Sequence, residues 1–286
     1  MRINFTKMNG VGNDFVVIDG INQRFEITKN TIKYLAHRNQ GIGCDQVLLI
    51  EPPKRFDIDF HYRIFNRDGS EVEQCGNGAR CIAKFIHDNG LSGKKKIKIS
   101  TLNNTLELEV LDSGDVLVMF EPPIFEPSKI PLNADKEEGP FHVKFMNQKF
   151  QFIPVNVGNP HAVIFDKDIR KINLKKVGSF FQKHDQFPKQ VNVNFAQVIN
   201  KDLIKLRVFE RGSGITESCG SGACATAAAA IRGGLVNPSV KILQRGGQLL
   251  INWNGSNTPI KMTGEAKTIY HCLLYTSPSP RDTLLS

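Results

Sequence analysis

Two short segments of this sequence could do proton chemistry. CGNGA begins at Cys75 and CGSGA begins at Cys219. A cysteine directly before a glycine-rich helix start sits where unpaired backbone N–H groups and the helix dipole favour an anion. That setting lowers a thiol pKa from its ordinary value of about 8.5. Glycines let the backbone approach a ligand closely, and the N–H groups after each cysteine can seat a carboxylate or oxyanion. Two such loops could serve the two faces of one carbon acid. A thiolate removes a proton from one side, a thiol returns one from the other, and the stereocentre inverts. The N–H groups at the two helix starts would stabilise the carboxylate as charge builds up. The scheme requires no metal and no pyridoxal cofactor, and the sequence carries no fingerprint for either.

The elements that must position these loops are themselves duplicated. From Phe65 the chain reads FNRDGSEVEQCGNGA, and from Phe209 it reads FERGSGITESCGSGA. The two agree at Phe65/Phe209, Arg67/Arg211, Glu73/Glu217, Cys75/Cys219, Gly76/Gly220, Gly78/Gly222 and Ala79/Ala223, always 144 residues apart. A repeat this long marks a duplicated domain rather than a solenoid. VGNDFVVID at Val11 and VGNPHAVIF at Val157 repeat at 146, which pairs Asn13 with Asn159 and Gln46 with Asn192. At 144, Asn66 meets Glu210. Strand patterns recur as DFVVID, DQVLLIE and FHYRIF, then as HAVIFD, VNVNFAQVI and IKLRVFE. The helices follow the cysteines. GACATAAAAIRGG has no polar face and is expected to be buried. Both helices are expected to stop at a left-handed glycine, Gly90 and Gly233. EPPIFEPSKIP, with its four prolines, reads as the link between halves.

The 286 residues, 40% of them hydrophobic, suffice for one large domain or two. No segment approaches the roughly 18 apolar residues of a membrane helix, and MRINFTKMNG has no signal-peptide core. The chain therefore reads as cytoplasmic, with no membrane partner. The net charge of +9 is spread along the chain, and its densest run, KKKIKI from Lys94, reads as a solvated loop entering a strand rather than a nucleic-acid site. Cys75 and Cys81 are six apart and Cys219 and Cys224 five apart, so the familiar zinc spacings are missing. Cys44, Cys81 and Cys224 read as small buried hydrophobes. His161, Glu210 and Arg211 are ambiguous singly. The amides Asn13, Gln46, Asn66, Asn159 and Asn192 would suit a ligand with both amino and carboxyl groups, because amides donate and accept.

Taken together, MNGVGNDFVVID, GIGCDQVLLI, FNRDGSEVEQCGNGARC, VNVGNPHAV and FERGSGITESCGSGACA resemble the diaminopimelate epimerase family. The resemblance implies a mixed α/β fold of two pseudo-symmetric domains, with strands wrapped around a central buried helix and the active site in the cleft between them. It implies a first domain over residues 1–120, completed by about 265–272, and a second over 121–264. It also implies a cofactor-independent two-base epimerase that interconverts LL- and meso-2,6-diaminoheptanedioate in lysine and peptidoglycan-precursor synthesis. Position by position, Cys75 and Cys219 match the catalytic thiols, and His161 and Glu210 match residues assisting at the reacting centre. Gly76, Asn77, Gly220 and Ser221 match the carboxylate loops. Asn13, Gln46, Asn66, Asn159, Asn192, Glu210 and Arg211 match substrate-binding positions, and Tyr270 matches a homodimer interface. Cys44 stands where the family more often has Ala, and Asn9 where His is frequent. After Tyr270 the usual ending gives way to HCLLYTSPSPRD, and residues 273–286 read as a disordered or foreign tail. A two-cysteine racemase of the proline, hydroxyproline or histidine type is the nearest alternative. A non-catalytic zinc- or redox-regulated module, or a nucleic-acid binder, belongs to other classes.

Overall fold

The computed structural model describes residues 2–72, 75–134 and 139–275, and the chain divides into two units. Unit 1 holds β1 (Arg2–Gly10), β2 (Asn13–Asp19), α1 (Lys29–Ala36), β3 (Gln46–Glu51), β4 (Phe60–Asn66), β5 (Glu71–Val72), α2 (Gly76–Asp88), β6 (Lys96–Ser100) and β7 (Thr105–Val110). The boundary falls between Val116 and Leu117, inside β8 (Val116–Phe120). Unit 2 continues with β9 (Phe141–Phe145), β10 (Gln148–Asn156), β11 (Pro160–Phe165), α3 (Leu174–Gln182), β12 (Asn192–Asn200), β13 (Leu203–Glu210) and β14 (Gly214–Ile215). It ends with α4 (Gly220–Arg232), β15 (Ser239–Gln244), β16 (Gly247–Asn252) and β17 (Ile260–Gly264). The last strand, β18 (Lys267–Tyr275), returns to unit 1 and pairs with β1.

The two units are built to one plan. β1–β2 and β10–β11 are antiparallel, β2–β3 and β11–β12 parallel, and β3–β4 and β12–β13 antiparallel. β4–β6 and β13–β15 are parallel again, and β6–β7 and β15–β16 close as antiparallel pairs. The registers coincide as well. Phe15 stands opposite Gln46 and His161 opposite Asn192, while Val47 faces Phe65 and Val193 faces Phe209. That fixes Gln46 with Asn192 and Phe15 with His161 as structural counterparts.

Each cysteine-led helix is the axis of its unit. α2 packs against β1, β2, β3, β7 and β18, and α4 against β10 to β13 and β15 to β17. With strands on every side α4 has no wet face, which is why its residues from Gly222 to Ala230 are all buried. Alanine side chains keep that backbone close to its neighbours, since interiors pack at crystal-like density. The opposite sheet faces are covered by the two shorter helices. In unit 1, Ile32 and Leu35 of α1 pack on Val16, Ile18, Val47 and Phe65. In unit 2, Phe181 of α3 packs among Phe150, Phe152, Phe195 and Phe209, each large buried side chain contributing about 2 kcal/mol. Gly178 makes this possible, because a Cβ there would lie 2.3 Å from the Phe209 ring.

Three sequence expectations are corrected. Gly90 is left-handed as expected, but Gly233 is not (φ −78°), and Gly234 (φ +67°) makes the turn after α4. Leu235 N–H then bonds Ala230 O as Leu91 N–H bonds Ile86 O, so the two helices end alike. The proline-rich segment is not a linker. It lies in unit 2, where Ile124 bridges Asn156 and Ile130 and Leu132 enter the core. Its apolar residues found a surface to bury. Finally, Leu273, Leu274 and Tyr275, assigned above to the tail, extend β18 opposite Ile3 and its neighbours. Glu73 and residues 276–286 lie outside the described residues.

Candidate active site

Each cysteine is the N-cap of its helix. Cys75 is extended (φ −146°), and its Sγ accepts the Gly78 N–H at 3.3 Å. Cys219 is extended (φ −133°), and its Sγ accepts the Gly222 N–H at 3.4 Å. The second glycine of each motif sits beneath the sulfur. A Cβ on Gly222 would lie 3.1 Å from Val208 and 3.2 Å from Cys219 Sγ. The local rule is therefore the ordinary N-cap rule with sulfur in place of oxygen.

In unit 1 the amides singled out in the sequence bond in pairs. Asn77 Nδ2 donates to Asn13 Oδ1 at 2.5 Å, and Asn77 Oδ1 accepts from Arg80 Nη2 at 2.9 Å. Arg80 is fully buried and also reaches Glu265 O. Gln46 Nε2 donates to Asn66 Oδ1 at 3.0 Å across the β3–β4 ladder. Tyr62 Oη–H donates to Cys75 O at 3.4 Å. Cys75, Asn13, Gln46 and Asn66 remain half-buried. Unit 1 thus pairs Asn13 with Asn77 and Gln46 with Asn66, and sets Cys75 at the start of the helix that carries Asn77.

Around Cys219 the surroundings are drier and ionisable. Cys219 is 4% exposed, and its N–H donates to Gln244 Oε1 at 2.8 Å. Its Sγ lies 3.6 Å from Ser221 Oγ, and Ser221 Oγ lies 3.1 Å from His161 Nε2. Asn159 touches both, with Nδ2 3.2 Å from Ser221 Oγ and Oδ1 3.0 Å from His161 Nε2. Glu210 accepts the Thr216 hydroxyl at 2.5 Å and lies in hydrogen-bonding reach of the Cys219 thiol. Burial, and then the Glu210 carboxylate, push the Cys219 thiol well above its ordinary range. Burial likewise raises Glu210. For Cys219 this overturns the expectation of a depressed pKa. The Ser221 hydroxyl and the Gly222 N–H act in the expected direction, but desolvation of the thiolate outweighs them. Burial also lowers His161 to about 4, with Arg211 adding to the effect, so the imidazole is neutral.

Other positions divide. Asn192 donates to Pro160 O and accepts the Arg211 N–H, so it braces the loop after β13. The Arg211 guanidinium is exposed and donates to Lys189 O. Tyr270 lies on β18, 43% exposed, edge-on to Phe5. Cys44 and Cys81 are buried and pushed up to about 12 by desolvation, and Cys224 is buried within α4. Sequence reasoning missed Asn194, Thr216 and Gln244. Asn194 was the most findable, because VNVN puts two amides on the same face of an otherwise apolar strand.

A family model described as diaminopimelate epimerase matches residues 5–126 and 153–269, covering both units. The chain belongs to the diaminopimelate epimerase family. Solved structures of the same fold include a hydroxyproline epimerase from Agrobacterium vitis with bound trans-4-hydroxy-L-proline, 15% identical, covering 96% of this chain and 92% of that one, TM-score 0.70. A probable proline racemase from Agrobacterium radiobacter with bound carbonate is 14% identical and covers 99% and 95%, TM-score 0.68. A phenazine biosynthesis protein from Bacillus anthracis is 13% identical and covers 96% and 100%, TM-score 0.68. At these identities the likeness is one of fold. Membership in the diaminopimelate epimerase family makes the chain an isomerase of the epimerase and racemase kind. Among the described residues, no helix is long and apolar enough to cross a membrane.

Proposed function

We propose that this member of the family interconverts LL- and meso-2,6-diaminoheptanedioate by two-base proton transfer at one α-carbon, without a cofactor. The reading rests on the repeated cap: two N-cap cysteines, each sulfur on a first-turn N–H, in units of equivalent topology. In the reaction one sulfur, as thiolate, takes the α-proton. The electron pair left on carbon spreads into the carboxylate, which the N–H groups following Cys75 and Cys219 receive. The other sulfur, as thiol, delivers its proton to the opposite face. This requires both sulfurs to reach one carbon. Burial and the Glu210 carboxyl hold Cys219 as the thiol, the form that delivers a proton. Asn13, Gln46, Asn66, Asn159 and Arg211 offer the donors and acceptors that a second amino-acid end would use. We further place the enzyme in the cytoplasm, supplying lysine and peptidoglycan precursors as a homodimer with Tyr270 at the contact.

The test is proton exchange in heavy water. Deuterium should enter the α-position of LL-diaminopimelate as the meso isomer forms. Fold likeness to the proline and hydroxyproline enzymes supports a second reading, in which the substrate is a single small amino acid. Turnover of L-proline or trans-4-hydroxy-L-proline with none of diaminopimelate would select it.

A further inference from the structure

The half-site around Cys219 contains a buried hydrogen-bond chain with a fixed direction. Asn194 is fully buried on β12. Its Nδ2 lies 2.9 Å from Gly222 O and 3.0 Å from Thr226 Oγ1. A backbone carbonyl can only accept, so the amide nitrogen must face it, and the amide oxygen must face His161 Nδ1 at 3.1 Å. An amide oxygen can only accept, so Nδ1 must carry the proton. In the neutral ring Nε2 is then bare, 3.1 Å from Ser221 Oγ and beside the Asn159 amide, which must turn its nitrogen toward it.

The apolar counterparts in unit 1 sharpen the point. Phe15 stands where His161 is, by strand register. Leu48 stands where Asn194 is, opposite Val17 as Asn194 is opposite Val163. Ile82 occupies the place of Thr226 in the repeat. The same packing positions are filled by apolar side chains in one unit and by a hydrogen-bonded network in the other. A buried polar network survives only if each member is satisfied, so this one is specific to the Cys219 half-site.

We propose that Asn194 is a positioning residue: it fixes the His161 proton on Nδ1, leaving Nε2 as the acceptor of a relay from the Cys219 thiol through the Ser221 hydroxyl. The relay moves protons only. The Cys219 S–H and Ser221 O–H bonds break, a new O–H forms on Ser221 and an N–H forms on Nε2, leaving a thiolate and an imidazolium. Both ring N–H groups then have acceptors, Asn194 Oδ1 on Nδ1 and Asn159 Oδ1 on Nε2. Asn159 can turn its amide as the proton moves, because His161 Nε2 and Ser221 Oγ can each donate or accept. Asn194 cannot turn. At rest the proton stays on sulfur, since burial favours the neutral thiol and the neutral ring. The relay serves the direction in which Cys219 must act as base, so the proposal rests on the two-thiol reading above.

Long-range proton–nitrogen NMR of the histidine rings tests the tautomer without substrate, with His161→Gln identifying the signal. The wild type should show the Nδ1–H form. Asn194→Leu, which installs the side chain of the unit 1 counterpart, should shift His161 toward Nε2–H. Asn194→Asp, which keeps an oxygen on Nδ1, should retain Nδ1–H and guards against a misfolded Leu variant. A wild type in the Nε2–H form, or a folded Leu variant with an unchanged tautomer, overturns the proposal. With turnover measured from LL-diaminopimelate and from the meso isomer, Asn194→Leu and Ser221→Ala should each lower kcat about 100-fold, with KM nearly unchanged, in the direction where Cys219 is the base. Ser221→Ala should leave the tautomer intact. Full kcat in both variants overturns the relay. A wild type inactive on diaminopimelate sinks the functional reading instead, and the tautomer measurement still decides the role of Asn194.

Discussion

The two cysteine loops share a backbone and differ in what surrounds the sulfur. Cys75 is half-buried, whereas Cys219 is nearly dry, beside a carboxyl and in line with an imidazole. Duplication kept the cap, the glycines and the strand register. Divergence placed Glu210 where Asn66 stands, His161 where Phe15 stands and Ser221 where Asn77 stands. The lesson is that a helix N-terminus does not fix a thiol's pKa. At Cys219, burial outweighs whatever the cap contributes.

The largest effects should break the comparison outright. Cys75→Ala and Cys219→Ala should each lower epimerisation by about 1,000-fold or more, measured as heavy-water exchange coupled to isomer formation. An active Cys75→Ala protein would refute the two-thiol mechanism. Next, Glu210→Gln removes the second-largest cause raising the Cys219 thiol, so its pKa should fall. Thiolate absorbance followed against pH, with Cys75→Ala as background, reads this directly, and an unchanged titration would remove Glu210 from the account.

Stability separates the units more gently. His161 is held near 4 against 6.5 in the unfolded chain, so below 6.5 the unfolded chain binds the extra proton. Stability should therefore decline as pH falls from 6.5 toward 4, with a contribution of about 3 kcal/mol at the acid end. His161→Phe, which copies Phe15, should flatten that decline in denaturant titrations. A decline of the same size in the variant would assign it to other groups. The smallest effect should come from the glycines. Gly222→Ala puts a methyl 3.1 Å from Val208 and 3.2 Å from the Cys219 sulfur and should cost about 1–2 kcal/mol. Gly78→Ala, whose nearest neighbour is Leu48 at 3.3 Å, should be near neutral, because alanine's helix propensity offsets the crowding. Equal melting temperatures for the two variants would erase this difference.

Much of the molecule was legible in the chain. The repeat at 144 and 146 residues announced two units of one plan, and the all-small pattern of GACATAAAA announced a helix without a wet face. Cysteine before Gly-x-Gly-Ala identified both caps, because capping depends on residues within one turn. The amides were visible as types but not as partners. Asn192 turned out to brace a loop, and Arg211 to bond Lys189 O, because both depend on chain brought in from elsewhere. The proline-rich segment misled because prolines mark a lack of regular structure without saying whether the apolar residues between them are buried.

Sequence alone determined which cysteines cap the helices, where the helices start and that the halves are duplicates, since these follow from local capping, periodicity and internal identity. Only the tertiary structure decided what each thiol feels. The proton affinity of Cys219 is set by desolvation and by Glu210, which the turn after β13 brings back to the sulfur. The tautomer of His161 is set by Asn194, held in turn by the carbonyl of Gly222. Dielectric and hydrogen-bond direction are properties of packed surroundings, and no stretch of sequence carries them by itself.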